Sequence, residues 1–170
     1  MKSVQKLNEA GITLTEAGRP VEAVMLFKEA LQAEPYNPLL YLNIGIAQQK
    51  TGSYDEALES FQTAVSIDNS LAAAWSAMGL IYHEQFLFEL AEQCYKTALE
   101  LDSDEPKTWN NYGALHFLLG NYAAARICFE KSASISPYYK DALINLRDIC
   151  REQKDYRAAA ETELHLRNIR

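Results

Sequence analysis

Residues 41–64 read YLNIGIAQQKTGSYDEALESFQTA, and residues 109–132 read WNNYGALHFLLGNYAAARICFEKS, with similar residue types in the same order. A glycine, an alanine and an aromatic residue of this pattern recur every 34 residues. The glycines are Gly11, Gly45, Gly79 and Gly113. The alanines, twelve positions after the glycines, are Ala23, Ala57, Ala91 and Ala125, and the aromatic residues, four positions further on, are Phe27, Phe61, Tyr95 and Phe129. A constant period of this length predicts a repeat protein.

Each repeat contains two runs of mainly apolar residues at helical spacing. In residues 38–71 the runs are Leu40, Tyr41, Ile44, Ala47 and Gln48, then Ala57, Leu58, Phe61, Ala64 and Val65. Residues three and four positions apart share one face of an α-helix, so each run predicts an amphipathic helix. Gly18, Gly52 and Gly120 stand between the two runs of their repeats, where a residue with positive φ can end the first helix.

This pattern resembles the tetratricopeptide repeat, a 34-residue helix–turn–helix unit. A large residue precedes each glycine by four positions, at Leu7, Tyr41, Trp75 and Trp109, and Pro35 and Pro137 end the first and fourth repeats. The resemblance divides the chain into repeats at 4–37, 38–71, 72–105 and 106–139 and a degenerate fifth at 140–170, within one domain, 1–170. It implies an all-α fold, a right-handed superhelical α-solenoid of antiparallel helix pairs. Stacks of about three or more repeats bury enough apolar surface to be stable, so five suffice.

Composition and charge exclude several classes of partner. The 170 residues are 48% apolar, which is typical of a packed domain, and three cysteines are too few for a disulfide framework, which indicates free thiols. The N-terminal residues contain no signal-peptide core and no stretch is long enough to span a membrane, so we expect a cytoplasmic protein without membrane insertion. The net charge is −7, and residues 1–139 hold nine Lys/Arg against seventeen Asp/Glu, so nucleic acid is not an expected partner.

No residue pattern in the chain indicates catalysis. The sequence contains no nucleotide-binding loop, metal-ligand spacing or nucleophile elbow. His116 stands where the family carries an aromatic residue, and we expect a packed, hydrogen-bonded imidazole there. The acidic pairs at 55–56 and 104–105 are expected at helix N-termini, where negative charge offsets the helix dipole. We therefore predict a non-enzyme without cofactor or metal.

The resemblance implies that the first helix of each repeat lines a concave groove. The sixth position of this helix holds Asn43, Asn111 and Asn145 in three of five repeats. A side-chain amide donates to and accepts from a peptide backbone at once, so these residues are expected to hold an extended polypeptide. The arrangement is similar to the asparagine ladder in the repeat domain of the O-linked N-acetylglucosamine transferase. Alternatively, the helix surface simply tolerates asparagine.

Other groove positions are apolar in the first three repeats. A bare apolar strip usually marks an interaction site, whereas curling of the superhelix is the alternative and would bury these side chains. The predicted peptide-binding residues are Ile12, Leu39, Leu42, Asn43, Ile46, Leu80, Asn110, Asn111 and Asn145.

One binding mode of the family is excluded. Repeat domains that capture the C-terminal carboxylate of chaperones use three cations and two asparagines, at positions held here by Asn8, Ile12, Asn43, Ala73 and Ala77. Only Asn43 matches, and a carboxylate bound without cations is desolvated with little compensation. We therefore do not expect a carboxylate-clamp adaptor.

Two repeats depart from the pattern. In the third, Phe86 replaces the turn glycine, and because a bulky residue does not readily adopt positive φ we expect a rebuilt turn. Phe86 and Leu87 then either form a second contact site on the rim or pack onto the next repeat. In the fifth, Arg147 replaces the glycine and Glu163 the second-helix aromatic residue. Its last helix is predicted to be a polar cap, or else the exposed end of a trimmed array that drives homo-oligomerisation.

These patterns predict a protein–protein interaction scaffold that binds a peptide or helical segment of a partner in its concave groove. Two alternatives stay open. The chain could be the substrate-recruiting domain of a larger enzyme such as a glycosyltransferase, or a self-assembling structural module.

Overall fold

The computed structural model describes residues 3–169, and these residues form ten α-helices and no β-strand. The first five helices are α1 (Val4–Glu16), α2 (Pro20–Leu31), α3 (Pro38–Lys50), α4 (Tyr54–Ile67) and α5 (Ala72–Glu84). The second five are α6 (Phe88–Leu101), α7 (Pro106–Leu118), α8 (Tyr122–Ile135), α9 (Lys140–Glu152) and α10 (Tyr156–Asn168).

The helices belong to two compact units, the first ending at Gln85 and the second starting at Phe86. In the first unit each of α1 to α4 packs against the helix that follows it, and in the second unit α6 to α9 do the same. Short connections join these neighbours, so they form helical hairpins. The predicted all-α class and the architecture of helix pairs are confirmed.

The helices begin where capping chemistry places them. Asn37 and Glu105 precede Pro38 and Pro106, and their side chains accept hydrogen bonds from the backbone N–H groups of Leu39 and Lys107, both at 3.0 Å. Proline suits the next position because its φ is already helical and its missing N–H would have had no helical partner. Asp55 and Glu56 lie in the first turn of α4, as predicted.

A glycine facing an aromatic ring forms the core of a helix pair. A Cβ added at Gly45 would lie 2.5 Å from Phe61 Cε1, and one at Gly113 would lie 2.6 Å from Phe129 Cε1. Both rings are almost completely buried. The first helix therefore approaches so closely that only a hydrogen atom fits above the ring, which explains why the glycine recurs with the period.

Large residues four positions before the glycines anchor the loops between helix pairs. The side chains of the three aromatic ones each donate a hydrogen bond to a backbone carbonyl six residues earlier. These bonds are Tyr41 Oη to Pro35 O (3.1 Å), Trp75 Nε1 to Asn69 O (3.2 Å) and Trp109 Nε1 to Ser103 O (2.8 Å). A polar tip on a large ring thus both fills space and satisfies a loop carbonyl.

The turn within each pair keeps one backbone conformation. Gly18, Gly52 and Gly120 have φ values between 75° and 78°, and Phe86 and Lys154 occupy the equivalent place with φ values of 61° and 60°. The expectation of a rebuilt turn at Phe86 is therefore wrong. The left-handed conformation costs an L-residue about 1–2 kcal/mol, which the surrounding helices offset.

An ion pair replaces the glycine–aromatic contact in the last helix pair. Arg147 and Glu163 stand sixteen positions apart, as Gly45 and Phe61 do. Arg147 Nη1 donates to Glu163 Oε2 at 3.2 Å, and Arg151 and Arg167 lie within ion-pair distance of the same carboxylate. The hydrogen bond and charge of Arg147, and after them those of Arg167, lower the pKa of Glu163. Arg147 in place of the glycine and Glu163 in place of the aromatic residue therefore compensate for each other.

Candidate functional site

The first helices of neighbouring pairs form a wall within each unit. In the first unit α3 contacts both α1 and α5, and in the second α7 contacts α9. Among residues 3–169, the second helices of neighbouring pairs within a unit, such as α2 and α4, make no such contact. Neighbouring helix pairs approach each other more closely through their first helices than through their second helices. The first helices therefore line the inner side of each unit.

A pair of asparagines joins neighbouring first helices in both units. Asn43 Nδ2 donates to Asn8 Oδ1 in the first unit, and Asn145 Nδ2 donates to Asn110 Oδ1 in the second, each at 2.8 Å. The partners stand 35 residues apart in both cases. The asparagines predicted to bind a partner are therefore also used within the fold.

This hydrogen bond leaves part of each amide available. A carboxamide has two N–H donors and one carbonyl oxygen, and the cross-helix bond uses one donor. Asn43 and Asn145, both partly exposed, keep the second N–H and the carbonyl oxygen. Asn111 is also partly exposed, and its side chain makes no hydrogen bond to any residue between 3 and 169. Three amides on the walls can thus both donate and accept.

The predicted apolar strip is only partly exposed. Ile12 and Leu39 are exposed by 37% and 51%, whereas Ile46 and Leu80 are half-buried. Leu42 and Asn110 are buried, at 9% and 7% exposure, so the expectation that they lie bare on the wall is wrong. Both occupy the fifth position of their repeat, which faces the neighbouring first helix, as the bond from Asn145 to Asn110 demonstrates.

An open depression surrounds Leu39 at one edge of the wall in the first unit. Its lining residues are Glu34, Pro35, Tyr36, Asn37, Pro38, Leu39 and Asp68. A second depression shares Glu34, Asn37 and Leu39 and extends to Asn8. Hydrogen bonds from Ser70 lower the pKa of Asp68, which keeps its carboxylate charged. The edge therefore combines an apolar floor with carboxylates beside it.

The predicted second contact residues are exposed. Phe86 and Leu87 are accessible over 73% and 45% of their surface. The Phe86 ring lies edge-on to Phe88, with 6.0 Å between centroids. Both side chains are therefore exposed at the rim, which agrees with the first of the two alternatives stated for them and not with packing onto the next repeat.

His116 lies in a partly buried polar cluster of the second unit. Its ring stacks on Tyr112 with 4.3 Å between centroids, and Tyr112 Oη donates to Glu92 Oε1 at 3.3 Å. Nδ1 of His116 is buried without a hydrogen-bond partner among the described residues, so the expectation of a hydrogen-bonded imidazole is wrong at that atom. Burial lowers the pKa of His116, and the negative charge of Glu92 raises it by a smaller amount.

The three cysteines are free and buried. Burial raises the pKa of both Cys94 and Cys128 to about 11, so each is a thiol at neutral pH and a poor nucleophile. Between residues 3 and 169, no cluster of acidic, histidine and cysteine side chains has the geometry to hold a metal ion. In the same part of the chain, every helix is too short or too polar to cross a membrane.

Sequence models of the tetratricopeptide repeat match residues 14–81, 72–105 and 106–139. The chain belongs to the tetratricopeptide repeat family. Members of this family are generally non-enzymatic scaffolds for protein–protein interactions, and membership implies protein partners for this chain.

Solved tetratricopeptide repeat structures share the fold at low sequence identity. PilF of Pseudomonas aeruginosa superposes with a TM-score of 0.88 at 19% identity, over 96% of this chain and 74% of that chain. TTC0263, a thermophilic protein of Thermus thermophilus, gives 0.82 at 18% identity, over 98% and 91%. MamA from Desulfovibrio magneticus gives 0.78 at 16% identity, over 98% and 94%. At these identities the likeness establishes the fold alone.

Proposed function

We propose that the chain is a non-catalytic adaptor whose inner walls bind an extended segment of a partner protein. In the first unit Asn43 would contact the backbone of a bound segment, and Leu39, Ile46 and Leu80 would contact its apolar side chains. In the second unit Asn111 and Asn145 would contact a bound backbone in the same way. The observation that carries this proposal is the asparagine pair, which has the same residues, atoms and distance in both units.

The paired amides favour binding because they are oriented in advance. An asparagine free to rotate loses side-chain entropy when it binds, roughly 0.5–1.5 kcal/mol for an immobilised side chain. The bond from Asn43 to Asn8 has already fixed the amide in the unbound protein. The remaining donor and acceptor match the alternating N–H and C=O groups of an extended backbone, and this match does not depend on the partner's side chains.

The depression around Leu39 supplies a preference for particular side chains. Its apolar floor suits a leucine or similar residue of the partner, and the carboxylates of Glu34 and Asp68 favour a lysine or arginine beside it. Residues 1–85 hold five Lys/Arg against ten Asp/Glu, so the field of this unit also attracts cationic segments. The preferred partner segment therefore carries an apolar residue next to a basic one.

Peptide selection tests the proposal without a known partner. A random peptide library displayed on phage would be selected on the immobilised full chain, and calorimetry would measure the affinity of the enriched peptides. We expect Asn111→Ala combined with Asn43→Ala, which removes one amide from each wall, to weaken binding severalfold, since one lost hydrogen bond contributes roughly 0.5–1.5 kcal/mol. Asn69→Ala is the matched control, because Asn69 is an exposed asparagine in a loop.

A change in affinity reports on binding only if the variants keep the fold. Circular dichroism of each variant should match that of the unmodified chain. Enriched peptides that bind the double variant and the Asn69→Ala control equally well would contradict the proposal, because the walls would then not be the binding surface.

A further inference from the structure

Two of the turns within helix pairs, at the start of α6 and at the end of α7, carry exposed apolar side chains in the second unit. Seven large side chains there are accessible over 39% to 73% of their surface. We call this set the rim patch. Its members are Phe86, Leu87, Leu90, Phe117, Leu118, Leu119 and Tyr122.

The packing of α6 against α7 brings the members of the rim patch together. Tyr95 lies beside Tyr112, with 6.0 Å between ring centroids. The four residues 102–105 join the end of α6 to the start of α7, and the two helices pack against each other. They are therefore antiparallel, so the start of α6 lies beside the end of α7. Tyr122 extends the surface at the start of α8, since its ring lies 5.4 Å from that of Phe117.

The rim patch is nearly free of charge. Within residues 86–90 and 117–122, Glu89 is the only ionisable acidic or basic side chain. The equivalent turns of the first unit read EAGR at 16–19 and KTGS at 50–53. The last turn of the second unit, EQKD at 152–155, is charged as well. The exposed apolar surface is therefore a property of residues 86–90 and 117–122 and not of the repeat.

The exposed area is large enough for a specific contact. A large aromatic side chain presents about 150–250 Å² and a leucine somewhat less, so the seven side chains expose on the order of 500 Å² together. The largest apolar patch on a typical monomer is about 300–600 Å² and is often functional. Two such patches in contact bury on the order of 1,000 Å² from these side chains alone. Flanking atoms bring this value into the range of about 1,200–2,000 Å² for specific interfaces.

We infer that the rim patch is a homodimer interface, occupied by the rim patch of a second copy of this chain. A self-complementary contact between identical patches closes as a two-fold dimer and buries all of the apolar surface. The chain carries a net charge of −7, which opposes contact between two copies over most of the surface. Contact through a nearly uncharged edge minimises this repulsion. The same negative charge disfavours an anionic lipid surface as the occupant.

Sedimentation velocity of the full chain over a concentration series tests the inference. We expect the molar mass to rise from 19.2 kDa towards twice that value with concentration. Added salt should leave the dimer intact or tighten it, since it screens repulsion between acidic copies. Phe86→Gly combined with Leu118→Ser should raise the dimer dissociation constant by about tenfold or more, because it removes two exposed apolar contacts without adding charge.

The control removes equal apolar surface elsewhere. Met25→Ser combined with Leu164→Ser changes side chains that are 68% and 61% exposed, the second of them on α10. This variant should keep the dissociation constant of the unmodified chain. A constant monomer mass, a dimer that survives in the rim variant, or one that dissociates in the control would each overturn the inference. The peptide affinity of the inner walls should be the same in both variants, so this test is independent of the proposed function.

Discussion

The two units share their interior and differ at one edge. Both place a glycine above a buried phenylalanine, and both join neighbouring first helices through an asparagine pair. Their turn edges differ, because Gly18 and Gly52 have polar neighbours whereas Phe86, Leu118 and Leu119 expose apolar side chains. The repeat therefore constrains the residues that face other helices and leaves the residues of the turns free to acquire a separate role.

The largest expected effect tests the shared interior. Alanine in place of Gly45 or Gly113 should destabilise the chain by about 1–3 kcal/mol, because the new methyl group overlaps the ring of Phe61 or Phe129. The better helix propensity of alanine offsets up to about 1 kcal/mol of this cost. Urea unfolding monitored by circular dichroism measures the change. Both units should respond alike.

A smaller side chain beneath the new methyl group provides the control. Phe61→Leu should cost less stability in the Gly45→Ala background than in the unmodified chain. Additive losses would mean that the two positions do not meet, and the interpretation of the shared core would fail.

The asparagine pairs should reveal an asymmetry between the units. Asn145→Ala leaves the carbonyl oxygen of buried Asn110 without its donor, and we expect a loss of about 1–3 kcal/mol. Asn43→Ala should cost less, about 0.5–1.5 kcal/mol, because Asn8 is partly exposed and can bind water. Double-mutant cycles with Asn8→Ala and Asn110→Ala separate each coupling from the single losses. Equal couplings in both units would contradict the role given to burial.

The smallest effects concern the turns. Lys154→Gly should stabilise the chain by roughly 0.5–1 kcal/mol, since glycine adopts positive φ without the steric cost paid by lysine. Phe86→Gly should be close to neutral, because the same relief is offset by loss of the contact with Phe88. Thermal unfolding of both variants would be compared with that of Gly52→Ala. That variant should lose about 1 kcal/mol for purely conformational reasons, because no atom lies near the added Cβ. A stabilising Gly52→Ala would refute the strain argument.

The parts of the fold that the sequence predicts are those that recur. Gly45, Ala57 and Phe61 are predictable because their neighbours lie at a constant distance along the chain, and the period repeats that environment. The ion pair between Arg147 and Glu163 could also have been predicted, since it preserves the sixteen-residue spacing of the glycine and the ring. The cation at the glycine position and the carboxylate at the position of the ring have opposite charges, so together they predict a contact.

The candidate site was less predictable because its properties depend on packing between repeats. The fifth and sixth positions are adjacent in sequence, yet Asn110 is buried and Asn111 is partly exposed. The packing of the neighbouring helix determines which of the two side chains it covers. The residue types at these two positions, both asparagine, do not predict that packing. Likewise, Phe117, Leu118 and Leu119 resemble ordinary helix core residues in a list of apolar positions. Only the antiparallel packing of α6 and α7 places them beside Phe86.

The asparagine pairs also constrain how this chain can change length. Each pair joins side chains 35 residues apart, and each partner must keep its phase on its own helix. Insertion of a single residue within α1 before Asn8, or within α3 before Asn43, would rotate that asparagine by about 100° relative to the preceding part of its helix and separate the two partners. Duplication or deletion of a complete 34-residue segment would preserve every such pair that remains. Lineages of this protein should therefore gain and lose whole repeats and accept changes of loop length, while single-residue insertions and deletions inside the helices that carry the partners are eliminated.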